Sequence, residues 1–257
     1  MHLKVLGCNG GIGGITRRTV CYRINQSILI DAGTGVGDLS LEELAKIDHV
    51  VLTHAHWDHI SCLPLLPDAI FTERKSPIKV WALPEVIDLL ATHVFNNRIW
   101  PDFTKIPMVG SSNAIIELKP LPKKDPITIN GVIFSKLPAS HGIPACGFKV
   151  QQNRVSLAFS GDSADNDAFW NLISTDKTIR AVIVECSYPK SMTKLGVMTC
   201  HLSTDVLGSR LLKLSNEVKQ IIIHRKPGYE EIIVAELMGV TGGSGLCFPI
   251  PGEEYEF

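Results

Sequence analysis

The sequence is poor in the features that assign many chains at sight. Its 257 residues carry 25 Lys and Arg against 26 Asp and Glu, a net charge of −1, so there is no broad basic field for a nucleic-acid backbone. No apolar run reaches the roughly 20 residues that a membrane-spanning helix needs. The opening Met1-His2-Leu3-Lys4-Val5-Leu6 lacks the basic-then-apolar preamble of a secretory signal. Seven cysteines are an odd number and include no Cys-x-x-Cys pair, which argues against a disulfide framework or a zinc ribbon. These absences point to the cytoplasm, away from membranes. Phosphate-binding loops are missing too. Gly7-Cys8-Asn9-Gly10-Gly11-Ile12-Gly13-Gly14 misses the Gly-x-Gly-x-x-Gly register, and no Gly-Lys-Ser/Thr follows. The stretch reads as a turn that lets backbones approach closely, or as a wall of an active site.

What is present begins with core-forming residues: 45% of the chain is hydrophobic, enough for a single large domain over 1–257. Alternating and β-branched runs predict strands over 2–6, 19–24, 27–30, 50–52, 78–82, 114–118, 127–129, 132–137, 147–150, 155–159, 180–185, 219–223, 246–250 and 254–257. Turns are expected at 25–26, 123–126, 130–131 and 152–153. Helices are predicted over 40–46, with Ser40 and Glu43 as a capping box, from 60 toward 71 within limits set by Pro64 and Pro67, and over 84–95, 204–214 and 230–237. His93, inside a helix, reads as structural. The stretch from Asn96 to Pro107 is either a lid whose rings stack on a flat group or a loop that buries Trp100 and Phe103.

The densest chemistry is His54-Ala55-His56-Trp57-Asp58-His59-Ile60, directly after the strand at 50–52. Three imidazoles and a carboxylate within six positions form a metal-ligand cluster. Leaving a strand as a loop, this stretch can begin two adjacent metal sites, each to be completed from elsewhere. His141 and Asp162 each follow a strand as well.

His-x-His-x-Asp-His resembles the metallo-β-lactamase superfamily, which implies a four-layer αββα sandwich. His141 and Asp162 match that superfamily's next two ligand positions, and Asp31 matches the Asp that supports the metal loop from behind. The implied ligands are His54, His56 and His141 for one divalent cation, and Asp58, His59 and His224 for a second, with Asp162 bridging. Asp58 is assigned to both the metal and the catalytic set. A carboxylate can give one oxygen to each cation, holding them about 3.5–4 Å apart. A Cys at that position would instead suggest β-lactam hydrolysis. Imidazole-rich ligation favours Zn²⁺, with Mn²⁺ and Fe²⁺ as alternatives, and a hydroxide shared by the cations is the expected nucleophile.

His201 is left over and has the chemistry of a general acid, oriented by Glu185. Glu185-Cys186-Ser187-Tyr188-Pro189, His201-Leu202-Ser203 before a helix, and the strand ending in His224-Arg225-Lys226-Pro227 resemble the class II cyclic-nucleotide phosphodiesterases. The resemblance runs from residue 3 to about 237, and it departs from the usual motif at Trp57, Cys62 and the proline-rich 63–67. It implies hydrolysis of cyclic AMP or cyclic GMP, a small-molecule substrate, to the 5′-monophosphate. Three other readings stand beside it. One is a tRNA 3′-processing endonuclease, the only one that involves nucleic acid, although 185–201 is neither long nor basic. Another is a broader phosphodiester, phosphonate or lactone hydrolase, and the last a non-enzymatic metal-binding protein. Related enzymes often form homodimers, yet no stretch marks an interface.

Overall fold

β-branched runs set the strands. In chain order these are β1 (His2–Gly7), β2 (Cys21–Ile24), β3 (Ile28–Ile30), β4 (His49–Val51), β5 (Ile78–Ala82), β6 (Ile116–Pro120), β7 (Ile127–Ile129), β8 (Val132–Pro138), β9 (Cys146–Gln152), β10 (Val155–Phe159), β11 (Ile179–Glu185), β12 (Lys219–Ile223), β13 (Leu246–Cys247) and β14 (Glu254–Glu256). The helices are α1 (Leu41–Ala45), α2 (Trp57–Ile60), α3 (Leu65–Ala69), α4 (Pro84–His93), α5 (Asp167–Thr175), α6 (Thr193–Thr199), α7 (Thr204–Leu211) and α8 (Glu230–Thr241), with 3-10 turns at Thr34–Asp38 and Lys190–Met192. This computed structural model describes residues 1–124 and 126–257; Asp125, in the turn expected at 123–126, lies outside the described residues. Among the described residues no helix is long and apolar enough to cross a membrane.

The chain divides into two compact units. The first comprises Met1–Gly7, Arg18–Lys123 and Pro251–Glu256. Its sheet runs β14-β1-β2-β3-β4-β5-β6, antiparallel from β14 to β3 and parallel from β3 to β6. Leu29, Val50 and Val80 of this sheet share a core with Val86 and Leu90 of α4 and Leu66 of α3. The second unit comprises Cys8–Arg17, Lys124–Ile250 and Phe257. Its sheet, β13-β12-β11-β10-β9-β8-β7, is antiparallel from β7 to β10 and parallel from β10 to β13. Val182, Val184 and Ile222 bury against Trp170 and Ile173 of α5, Leu207 and Leu211 of α7, and Ile233 and Leu237 of α8. Each such side chain stabilises the fold by about 1.5–3 kcal/mol relative to exposure. Parallel strands matter here because their C-terminal ends gather loops at one sheet edge, where an α/β scaffold places its chemistry.

Local signals explain most boundaries. Ser40 caps α1 by accepting from Glu43 N at 3.2 Å, while its own N–H donates to Glu43 Oε2 at 3.0 Å, as the Ser-x-x-Glu spacing predicts. Pro84 opens α4 at its first residue, and α8 ends where Gly242 takes φ 69°. Several expectations needed correction. The metal stretch is not all loop, because α2 begins at Trp57 with His56 as N-cap. The single helix expected from 60 is α3 alone, and Pro67 lies inside it. In the first turn its missing N–H has no intrahelical acceptor to lose. The stretch read as loop between Pro189 and Cys200 folds into a 3-10 turn and α6, and α5 was not anticipated at all. Phe103 is buried in the first core with Trp100 packed on it, so of the two readings for 96–107 the packed loop holds.

Candidate metal centre

In the first unit the sequence cluster is organised by one buried carboxylate. Asp31 leaves β3 with a left-handed backbone, φ 58°. That conformation is uncommon for a non-glycine residue and turns its side chain back under the 53–59 segment. Its Oδ1 accepts from Thr53 N at 2.8 Å, and its Oδ2 accepts from Thr53 Oγ1 at 2.8 Å and from His59 Nδ1 at 2.8 Å. A carboxylate can only accept, so the Thr53 proton points at Asp31 and the hydroxyl oxygen must accept from His54 Nδ1, 2.9 Å away. A single carboxylate therefore fixes the tautomers of two imidazoles, His59 directly and His54 through Thr53. The His54 ring lies 4.1 Å from that of His59 and 4.8 Å from that of His56. Backbone bonds from Ala32 N to His59 O (2.7 Å) and from Cys62 N to Ala32 O (2.9 Å) lock α2 to this turn. Gly33 allows the approach, since a Cβ there would come within 2.4 Å of Asp58 O.

The second unit repeats the device. Glu185, fully buried at the end of β11, accepts through Oε1 from His201 Nδ1 (2.8 Å) and Ser163 N (3.1 Å), and through Oε2 from Ser187 Oγ (2.9 Å). Ser187 Oγ is also 2.9 Å from His224 Nδ1. With its one proton on Glu185, the hydroxyl is the acceptor for that imidazole. His224 follows β12 with φ 60° and turns its Nε2 to 3.1 Å from Asp162 Oδ2. His201 stacks on His224 at 5.1 Å and sits 3.9 Å from Asp162 Oδ2. His141 donates from Nδ1 to the carbonyl of Cys200 (3.2 Å), itself turned by φ 56°. Among the described residues, and apart from four asparagines, every non-glycine residue with positive φ, namely Asp31, Cys200 and His224, lies in these two constellations.

The electrostatics separate the roles. Burial would pull His201 down, but the charge and hydrogen bond of Glu185, with Asp162 behind it, outweigh burial, so its pKa stands above the ordinary histidine value. His141 moves the other way: burial exceeds the effect of Asp162 and the Cys200 carbonyl, which favours the neutral ring. Ligand atoms of Glu185, His201 and His224 come within 4.8 Å of one another. Their Nδ1 atoms are already bound to Glu185 and Ser187, so this group is a hydrogen-bonded relay. His54, His59, His141 and His224 all carry Nδ1 against oxygen, the state in which Nε2 is the ligating nitrogen. Imidazoles held through Nδ1, alongside aspartates, are a donor set that fits divalent cations.

The glycine-rich stretch has a definite partner. A Cβ on Gly10 would lie 2.6 Å from His224 O and 2.9 Å from its Nδ1, and His224 N donates to Cys8 O at 2.7 Å. The expected close backbone approach is made to a proposed ligand. His93 is exposed at the end of α4, and Trp57 is exposed on α2. Sequence reasoning missed Thr53, Ser163 and Ser187. Each lies within two residues of a chemical residue, which was the only available signal.

Residues 26–217 match the family described as the beta-lactamase superfamily domain. The chain is 28% identical over 204 residues to 3',5'-cyclic-nucleotide phosphodiesterase 1 of Saccharomyces cerevisiae, covering 68% of this chain and 52% of that protein. It is 24% identical over 197 residues to ribonuclease Z of Alkaliphilus oremlandii, covering 70% and 62%. The chain spans about half the length of the curated relatives it matches. The metallo-beta-lactamase fold protein YhfI from Bacillus subtilis superposes with a TM-score of 0.77 at 17% identity, over 99% of this chain and 98% of the other. That likeness establishes the expected α/β sandwich class, the metallo-β-lactamase fold.

Proposed function

This chain belongs to the beta-lactamase superfamily, and from that premise we propose a dinuclear-metal phosphodiesterase that hydrolyses 3′,5′-cyclic nucleotides to 5′-monophosphates. His54, His56 and His141 would hold one cation and Asp58, His59 and His224 the other, with Asp162 shared; Zn²⁺ suits these donors best, ahead of Mn²⁺ or Fe²⁺. When bound, such cations supply positive charge that lowers the pKa of water and polarises a phosphoryl oxygen. The remaining steps belong to the protein's own side chains.

The observation that carries the reading is the His201–Glu185 pair beside Asp162 and His224. Hydrolysis adds water to phosphorus and breaks the P–O3′ bond, which expels an alkoxide that needs a proton. His201 holds Nδ1–H on Glu185 and, as imidazolium, offers its Nε2 proton to the departing O3′, a contribution of about 10²–10⁴-fold. Glu185 keeps the ring charged and aimed. Two facts favour a small cyclic substrate over tRNA. The segment from Lys190 to Thr199 is folded as a 3-10 turn and α6 instead of extending as a basic arm, and the net charge is −1. The yeast relative's name points the same way.

The test is product analysis after incubating zinc-loaded protein with cyclic AMP, cyclic GMP and a precursor tRNA in parallel, with Asp162→Ala as control. Release of 5′-AMP or 5′-GMP by the parent protein alone is the expected result. A cleaved tRNA beside intact cyclic nucleotides would move the assignment to RNA processing.

A further inference from the structure

We propose that Ser187 is a positioning residue that sets the tautomer of His224 and thereby the affinity of one of the two cations. The inference rests on the metal-dependent reading above. Its basis is an asymmetry in the hydroxyl's surroundings. Ser187 Oγ stands 2.9 Å from Glu185 Oε2, 2.9 Å from His224 Nδ1 and 3.3 Å from His224 O. It has one proton to give, and both Glu185 Oε2 and the carbonyl can only accept. Donation to Glu185 forces the oxygen to receive Nδ1–H from His224. If Ser187 instead donated to Nδ1, its lone pairs would face a carboxylate oxygen at 2.9 Å in a fully buried place, which low polarity makes costly.

The alternative tautomer is close at hand, which is why the hydroxyl matters. His224 Nε2 lies 3.1 Å from Asp162 Oδ2, so a ring protonated only at Nε2 would satisfy itself on Asp162. That would remove a ligand nitrogen and occupy a ligand oxygen together. Neither backbone nor packing prevents this, because exchanging the proton between the two nitrogens moves no heavy atom. Ser187 biases the choice toward Nδ1–H. Glu185 thus reaches both functions of the site: it orients His201 directly and fixes His224 through Ser187. Thr53 stands in the same relation to Asp31 and His54 in the first unit, so carboxylate, hydroxyl and imidazole recur as one device.

Three proteins decide it: the parent chain, Ser187→Ala and Ser187→Thr. In metal-free protein labelled with ¹⁵N-histidine, the parent should show a His224 Nδ1–H resonance protected from exchange. Ser187→Ala should lose it and Ser187→Thr should retain it. In zinc titrations followed by calorimetry, Ser187→Ala should weaken one of two binding events by about 10–100-fold, the usual cost of removing such a partner, and the threonine variant should stay within about threefold of the parent. A protected Nδ1–H and unchanged zinc binding in Ser187→Ala would overturn the inference. Loss of both zinc events in the parent with its Nδ1–H intact would overturn the metal-dependent reading and the affinity claim with it, while leaving the tautomer assignment standing on the resonance.

Discussion

At the scale of single residues, the account turns on two buried carboxylates that each govern two imidazoles. Glu185 gives His201 a raised pKa against the pull of burial, so the imidazolium persists above the ordinary histidine range and is lost as pH rises through the raised value. If His201 must be charged to protonate the leaving oxygen, turnover falls along that high-pH limb. Glu185→Gln keeps an acceptor for Nδ1 but removes the charge, leaving Asp162 as the remaining carboxylate to oppose burial. The limb should therefore move to lower pH, as a pH profile of kcat will show; an unmoved limb would separate Glu185 from the acid. The proposed ligands in this stretch stand out in the sequence because His54 to His59 is a local pattern that needs no tertiary knowledge. Thr53 and Ser187 were not. Hydroxyl residues occur throughout the chain, and only the 2.8–2.9 Å geometry around Asp31 and Glu185 separates these two from the rest.

At the scale of elements, parallel strands do the placing. β4, β10, β11 and β12 end at the metal stretch, Asp162, Glu185 and His224 in turn, and all four belong to the parallel halves of their sheets. The loop before β2 contributes through Gly10, where a methyl group would meet His224 at 2.6 Å. Gly10→Ala must displace either the loop or His224, with an expected cost of about 1–3 kcal/mol. Urea unfolding and zinc retention should both decline, whereas a variant equal to the parent in both would show the contact to be yielding. Strands were legible from β-branched runs, and α1 from its capping box. Helix α5 carried a readable cap, since Asn166 Oδ1 accepts from Ala168 N and Phe169 N, but nine residues give too short an apolar stripe to stand out. Helix α6 contains Gly196, two threonines and a valine, all weak helix formers. It is held from outside its own sequence by the bond from His201 N to Gly196 O and the left-handed turn at Cys200.

At the scale of the whole molecule, the fold class was legible because one six-residue motif belongs to a superfamily with a single architecture, and a family match over 26–217 confirms the membership. The fourteen strands were legible from their patterns, but their division into two seven-stranded mixed sheets, each antiparallel in one half and parallel in the other, was not. Strand order is decided by crossovers that leave no local trace. Family membership fixes a hydrolase lineage and leaves the substrate open, and Trp57 stands exposed between His56 and Asp58 in the chain.

The central claim is that seven residues hold two cations through one shared carboxylate. Elemental analysis of zinc per chain tests it most directly, on the parent protein, His201→Ala and Asp162→Ala after equal loading and exhaustive dialysis. The account predicts two zinc ions per chain in the parent and in His201→Ala, although turnover of the latter falls by about 10²–10⁴-fold. It predicts loss from both positions in Asp162→Ala. Two ions retained without Asp162, or ions lost without His201, would contradict it.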